Sequence, residues 1–144
     1  MKIRDRPFGG CLIVAVLASL PVGCGSSSHE LDTAPVSGHV TLDGKPLPQG
    51  IVYVIPSKGR MAKGLIQADG SFELSTYGDG DGAQLGTHPV TVAALSADEL
   101  DASQKKLRVP VPKRYTQARS SGLSVDVQAG GNNSMELELS SKEE

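Results

Sequence analysis

Tryptophan is absent from this chain of 144 residues, which has only three tyrosines, two phenylalanines and two cysteines. The core must therefore be mostly Val, Leu and Ile. A sugar site built on stacked aromatic rings has few residues to draw on. From Phe8 to Val22 there is no charge, and this stretch is interrupted by Gly9, Gly10 and Pro21. It falls short of the ~20 apolar residues a membrane-spanning helix needs. Also missing are a Gly-x-Ser-x-Gly elbow, a phosphate-binding glycine loop, a dinucleotide fingerprint and a Cys/His/Glu cluster at metal spacing. No basic surplus exists, since the formal net charge is −2. A nucleic-acid partner, which favours a basic surface, is not expected.

What is present begins with an address. Lys2, Arg4 and Arg6 make a basic start, followed by the apolar Leu12-Ile13-Val14-Ala15-Val16-Leu17-Ala18 and small residues. This is the pattern of a secretory signal. Its end, Leu20-Pro21-Val22-Gly23-Cys24-Gly25, resembles the bacterial lipobox, with Pro21 standing where Leu is usual. The resemblance implies a signal peptide over 1–23, cleavage before Cys24 and attachment of acyl chains to the Cys24 sulfur. Each buried methylene adds about 0.8 kcal/mol of anchoring, so several chains hold a small domain firmly at a membrane. Cys11 would be discarded with the signal, leaving no pair for a disulfide. Removal of Lys2, Arg4, Arg6 and Asp5 would take the net charge from −2 to −4.

Residues 24–34 read as the lipidated Cys followed by a small, polar, flexible tether that includes Ser26, Ser27, Ser28 and His29. From 35 to 140 the chain reads as one domain of short strands. Val36–Leu42, Leu123–Val127 and Met135–Leu139 alternate apolar and polar, the period of a half-buried strand. Ile51–Ile55 is a β-branched run, and Thr87–Ala94 is another strand. Gly64–Ala68 and Ser71–Thr76 flank Asp69-Gly70, a strong hairpin signal. Asp43-Gly44 predicts a turn, and Pro46 and Pro48 predict a loop outside any ladder. A brief helix is predicted over 96–106, capped by Ser96. Residues 141–144 read as a polar tail. Seven short strands with turns between them predict an all-β, seven-stranded antiparallel β-sandwich.

Several segments together resemble carboxypeptidase regulatory-like domains, also called transthyretin-like or prealbumin-like. They are Val36–Leu47 as opening strand and turn, Ala68–Leu74 as central hairpin, and Gly86–Val92 as the strand after the long loop. Small bacterial lipoproteins built on this domain are nearer still: Val111–Tyr115, Ser121-Gly122-Leu123 and Gly130–Asn133 resemble their later segments. The resemblance implies a prealbumin-like or Ig-like sandwich, usually without catalysis, that binds partners or carbohydrate, assists folding or acts as a spacer. It defines no ligand site on numbered positions.

Each candidate for chemistry meets a plainer reading. Asp79-Gly80-Asp81-Gly82 resembles part of a calcium loop but lacks the terminal bidentate Glu, so a glycine-rich connection is expected. His39 falls among the polar set of its strand, and His88 at a strand start is expected to hydrogen-bond locally. Lys105, Lys106, Arg108, Lys113, Arg114 and Arg119 form the basic concentration, able to meet anionic headgroups or acidic wall polymer. The expectation is thus a non-enzymatic module without cofactor, metal or catalytic residue, lipid-anchored at Cys24 in the cell envelope and facing the periplasm. Its partner would be the membrane together with an envelope protein or glycan. Carbohydrate or wall-polymer binding is the alternative, with Tyr77 and Tyr115 as candidate platforms.

Overall fold

The computed structural model describes residues 30–95, 110–131 and 133–142. The signal segment, Cys24 and the predicted helix over 96–106 lie outside the described residues. Ten strands are present among those described: β1 (Thr33–Ala34), β2 (Val36–Leu42), β3 (Lys45–Pro46), β4 (Gly50–Val54), β5 (Ala62–Ile66), β6 (Ser71–Glu73), β7 (Ala83–Gln84), β8 (Gly86–Ala93), β9 (Leu123–Val127) and β10 (Asn133–Leu139). One 3-10 turn covers Lys113–Thr116. The seven expected strands are all here. Three two-residue strands, β1, β3 and β7, raise the count to ten.

The chain is all-β. One four-stranded sheet runs β5-β4-β8-β9, and a second carries β2 at its centre, with β10 on one side and β3 and β6 on the other. A short third sheet joins β1 to β7. Alternation in the sequence becomes alternation in burial: β2, β5 and β10 place every second residue inside. Val40, Leu47, Val52, Leu74, Val90 and Val92 are fully buried, and residues of both larger sheets form a single apolar cluster. This arrangement is consistent with a β-sandwich. Each such aliphatic side chain contributes roughly 1.5–3 kcal/mol through burial.

The expectation of purely antiparallel pairing needs correction. β10 runs parallel to β2 through seven register pairs, from Asn133↔Val36 to Leu139↔Leu42. The link from β9 to β10 passes from one sheet to the other, so β10 returns along the direction of β2 rather than against it.

The loop expected at Lys45-Pro46 also differs. Asp43 and Gly44 both have positive φ, 51° and 76°, as a two-residue hairpin turn of the primed type requires. That turn closes Lys45 onto Leu42 and Pro46 onto Thr41. Pro46 is tolerated because β3 is a two-residue outer strand.

Asp69-Gly70 does form its turn, but the two arms belong to different sheets. Gly70 N–H donates to the Gln67 carbonyl at 2.9 Å, and Asp69 Oδ1 accepts both the N–H and the hydroxyl of Ser71 at 2.9 and 2.6 Å. Beyond the turn β5 pairs with β4 and β6 with β2, joined by a single bridge, Lys63↔Ser75. Gly64 permits this crossing, since a Cβ there would sit 2.6 Å from the Glu73 carbonyl oxygen.

Among the described residues the first strand starts two residues before the expected domain boundary, at Thr33. Gly82, with φ +83°, has no Cβ to collide with the Ala34 carbonyl, so the chain there lies close enough for β1 to pair with β7. Pro89 marks where β8 changes partner: the β4 ladder covers 90–93, and at Pro89 only the carbonyl bonds, accepting Ile55 N–H at 3.0 Å.

Candidate functional site

The chemistry-bearing side chains gather at the ends of the strands, and most of them hold the backbone. In the loop after β6, the Asp81 carboxylate accepts N–H donors from Thr76, Tyr77 and Gly78 at 2.7, 2.9 and 3.1 Å. Thr76 adds a hydroxyl bond to the Gly82 carbonyl, and Gly80 N–H donates to Ser75 Oγ. Burial pushes the Asp81 carboxyl up, and the three backbone donors outweigh it, holding it below the usual carboxylate value. Asp81 is therefore the internal staple of the glycine-rich connection, while Asp79 beside it is exposed. Among the described residues no three His, Cys, Asp or Glu side chains are grouped to hold a metal ion.

The described histidines are far apart in role. His88 is buried, and its Nε2 lies 3.0 Å from the Gln84 carbonyl and 3.2 Å from that of Leu85. Both neighbours are acceptors, so Nε2 carries the proton and donates. His39 is exposed on β2 and faces Glu136 of β10 at 3.5 Å. His29 lies outside the described residues.

Two tyrosines were candidate platforms, and their surroundings differ. Tyr115 is buried, its hydroxyl accepting from Ser140 N–H at 3.0 Å and from Arg114 at 2.9 Å. It offers no open ring face. Tyr77 is half-buried: its hydroxyl accepts Leu31 N–H at 3.1 Å, and the Arg60 guanidinium lies 5.7 Å from its ring centre. A cleft of about 600 Å³ opens beside it, lined by Glu30, Asp32, Tyr77, Asp81, Leu85 and Gly130. A second cleft, of about 390 Å³, lies where β5 and β6 part, with Ile51 and Leu65 among Lys63, Gln67, Glu73 and Asp79.

Of the basic concentration, Lys105, Lys106 and Arg108 lie outside the described residues. Lys113 and Arg119 are exposed. Arg114 is a clamp: it donates to the carbonyls of Ser140 and Lys142 at 2.7 and 2.6 Å and stacks 4.7 Å from the Tyr115 ring centre. Asp43 Oδ1 accepts Ser141 N–H at 2.9 Å. Residues 141 and 142, the first part of the tail, are thus fastened to the domain. A lone arginine next to a tyrosine carried no signal of this in the sequence.

Comparison with family models, with curated proteins and with solved structures gives no match for this chain. The resemblance to carboxypeptidase regulatory-like domains rests on the residues that carry it.

Proposed function

We propose that this chain is an exported lipoprotein, anchored through acyl chains on Cys24, whose prealbumin-like sandwich serves as a non-catalytic interaction or structural module of the cell envelope. The observation that supports this reading most is the use made of the polar side chains. Asp81, Asp69, Asp43, His88 and Arg114 each bond to backbone groups of the fold's own turns and ends. Catalysis needs such groups aimed at a reacting atom rather than at the backbone. The lipobox-like stretch ending at Cys24 supplies the anchor, and residues 25–32 the tether.

The test is fractionation of cells fed a labelled fatty acid. The unaltered chain should carry label and sediment with membranes, and Cys24→Ala should lose both. Equal membrane partitioning of the two would defeat the anchor.

Carbohydrate or wall-polymer binding is the second reading, favoured by the half-exposed Tyr77 ring beside three carboxylates in the 600 Å³ cleft. Glycan binding that vanishes with Tyr77→Ala and survives Tyr115→Phe would make it the leading one.

A further inference from the structure

The two larger sheets present opposite kinds of outer surface. Outside β2 and β10 the exposed residues are Ser37, His39, Ser134, Glu136 and Glu138, as expected of a face in water. Outside β4 and β5 the pattern reverses. Register pairing sets Leu65 beside Ile51 and Lys63 beside Tyr53, and Met61 follows directly on the last pair, Val54↔Ala62. Met61 and Leu65 are 50% and 52% exposed, two of the three large apolar side chains so exposed among the described residues. The third, Leu31, lies at the same hairpin: a Cβ on Gly59 would sit 2.8 Å from its Cδ1.

Charge on this hairpin has one sign. Between Asp43 and Asp69 the chain contains no Asp or Glu, yet it carries Lys45, Lys58, Arg60 and Lys63. Glu73 and Asp79 share one cleft with Ile51, Lys63 and Leu65, and Glu30 and Asp32 line the cleft beyond Tyr77, so the single sign of charge belongs to the hairpin segment itself, at Lys58, Arg60 and Lys63. Exposed apolar side chains interleaved with cations, in a chain that is otherwise acidic, suit a surface that is both oily and anionic.

We propose that the β4–β5 hairpin, through Met61 and Leu65 with Lys58, Arg60 and Lys63, seats the domain on the anionic lipid headgroups of the bilayer that holds Cys24. The inference rests on the lipoprotein reading. Seven peptide units separate Cys24 from Leu31, and they span at most about 25 Å however arranged. Leu31 packs on Gly59 of this same hairpin, so the hairpin is held within reach of the lipid surface. Apolar tips then enter the headgroup layer, and each cation raises local occupancy on the order of fivefold over a neutral residue near an anionic surface.

The absence of Trp makes the test direct. Met61→Trp and Glu138→Trp are each introduced into the full lipid-modified chain, which is reconstituted on phosphatidylglycerol-containing vesicles with brominated acyl chains. Flotation is recorded alongside fluorescence. The expected result is co-flotation of both variants, with a blue-shifted Met61→Trp indole quenched at least about twofold more than that of Glu138→Trp. Adding Lys58→Glu, Arg60→Glu and Lys63→Glu should abolish the difference while flotation persists. Flotation with equal quenching at both positions overturns the seating and leaves the anchor intact. A blue shift without bromine quenching assigns the face to a second copy and also overturns it. Failure to float overturns the anchor and the seating together.

Discussion

Asp81 and Gly82 sit side by side and do opposite jobs, one by what its side chain bonds and one by having none. Removing the Asp81 carboxylate leaves three N–H donors of the loop without their acceptor. Asp81→Ala should therefore cost about 2 kcal/mol, read from urea denaturation at neutral pH. Its pH dependence has a defined sign. The folded pKa lies below the ordinary 3.8, so the stabilisation is complete above that value and is lost as pH falls through the lowered one. Hydrogen bonds hold Asp69 and Asp43 low in the same way, chiefly from Ser71 and Ser141. Stability measured by chemical denaturation should fall below about pH 4, and less steeply in Asp81→Asn. Gly82→Ala tests the neighbour. The new methyl would meet the Ala34 carbonyl oxygen at a φ of +83°, so a loss of about 3 kcal/mol or more is expected in the thermal melt, or no folded protein at all. Gly44 is the control at positive φ with open space around it, where alanine should cost only about 1 kcal/mol.

Between strands, the informative feature is where ladders stop. Arg114 and Tyr115 secure the far end of β10 through four hydrogen bonds to Ser140, Lys142 and each other. Tyr115→Phe removes one buried acceptor from the Ser140 N–H and should cost about 1–2 kcal/mol, with amide exchange accelerating first at residues 139–141. Strand positions were legible in the sequence because alternation and turn chemistry are local: Val36–Leu42 and Leu123–Val127 coincide with their strands. Partnership was not legible. The split of the Asp69-Gly70 hairpin depends on the Glu73 carbonyl fitting against Gly64, and the parallel run of β10 depends on a crossing between sheets. Neither leaves a mark in periodicity. At the site, the connecting role of the glycine-rich loop and the local bonding of His88 were legible from residue type and position, whereas the Asp81 staple within that loop was not. Arg114 was not, because its acceptors lie 26 and 28 residues away. The uninterrupted apolar run Ile51–Ile55 did carry a message about the outer face: a strand with one wet side would have alternated.

For the molecule as a whole, the last strand completes the core. Met135, Leu137 and Leu139 are buried in the shared cluster, and all seven residues of β10 lie in register with β2. A chain ending at residue 131 should lack cooperative unfolding by circular dichroism, since it would lose three buried apolar side chains and half of the hydrogen-bonding partners of β2. A chain ending at residue 142 should retain it. The parallel pairing has a further consequence, a mechanical one. Strands that run the same way put the start of β2 and the end of β10 at opposite ends of one ladder. A tension drawn between the two ends of the domain is then directed along that ladder and strains its seven register pairs together, rather than peeling them apart in turn. Such a shear geometry resists stretching, and a domain tied at its N-terminus and pulled at its C-terminus would bear load on its longest seam.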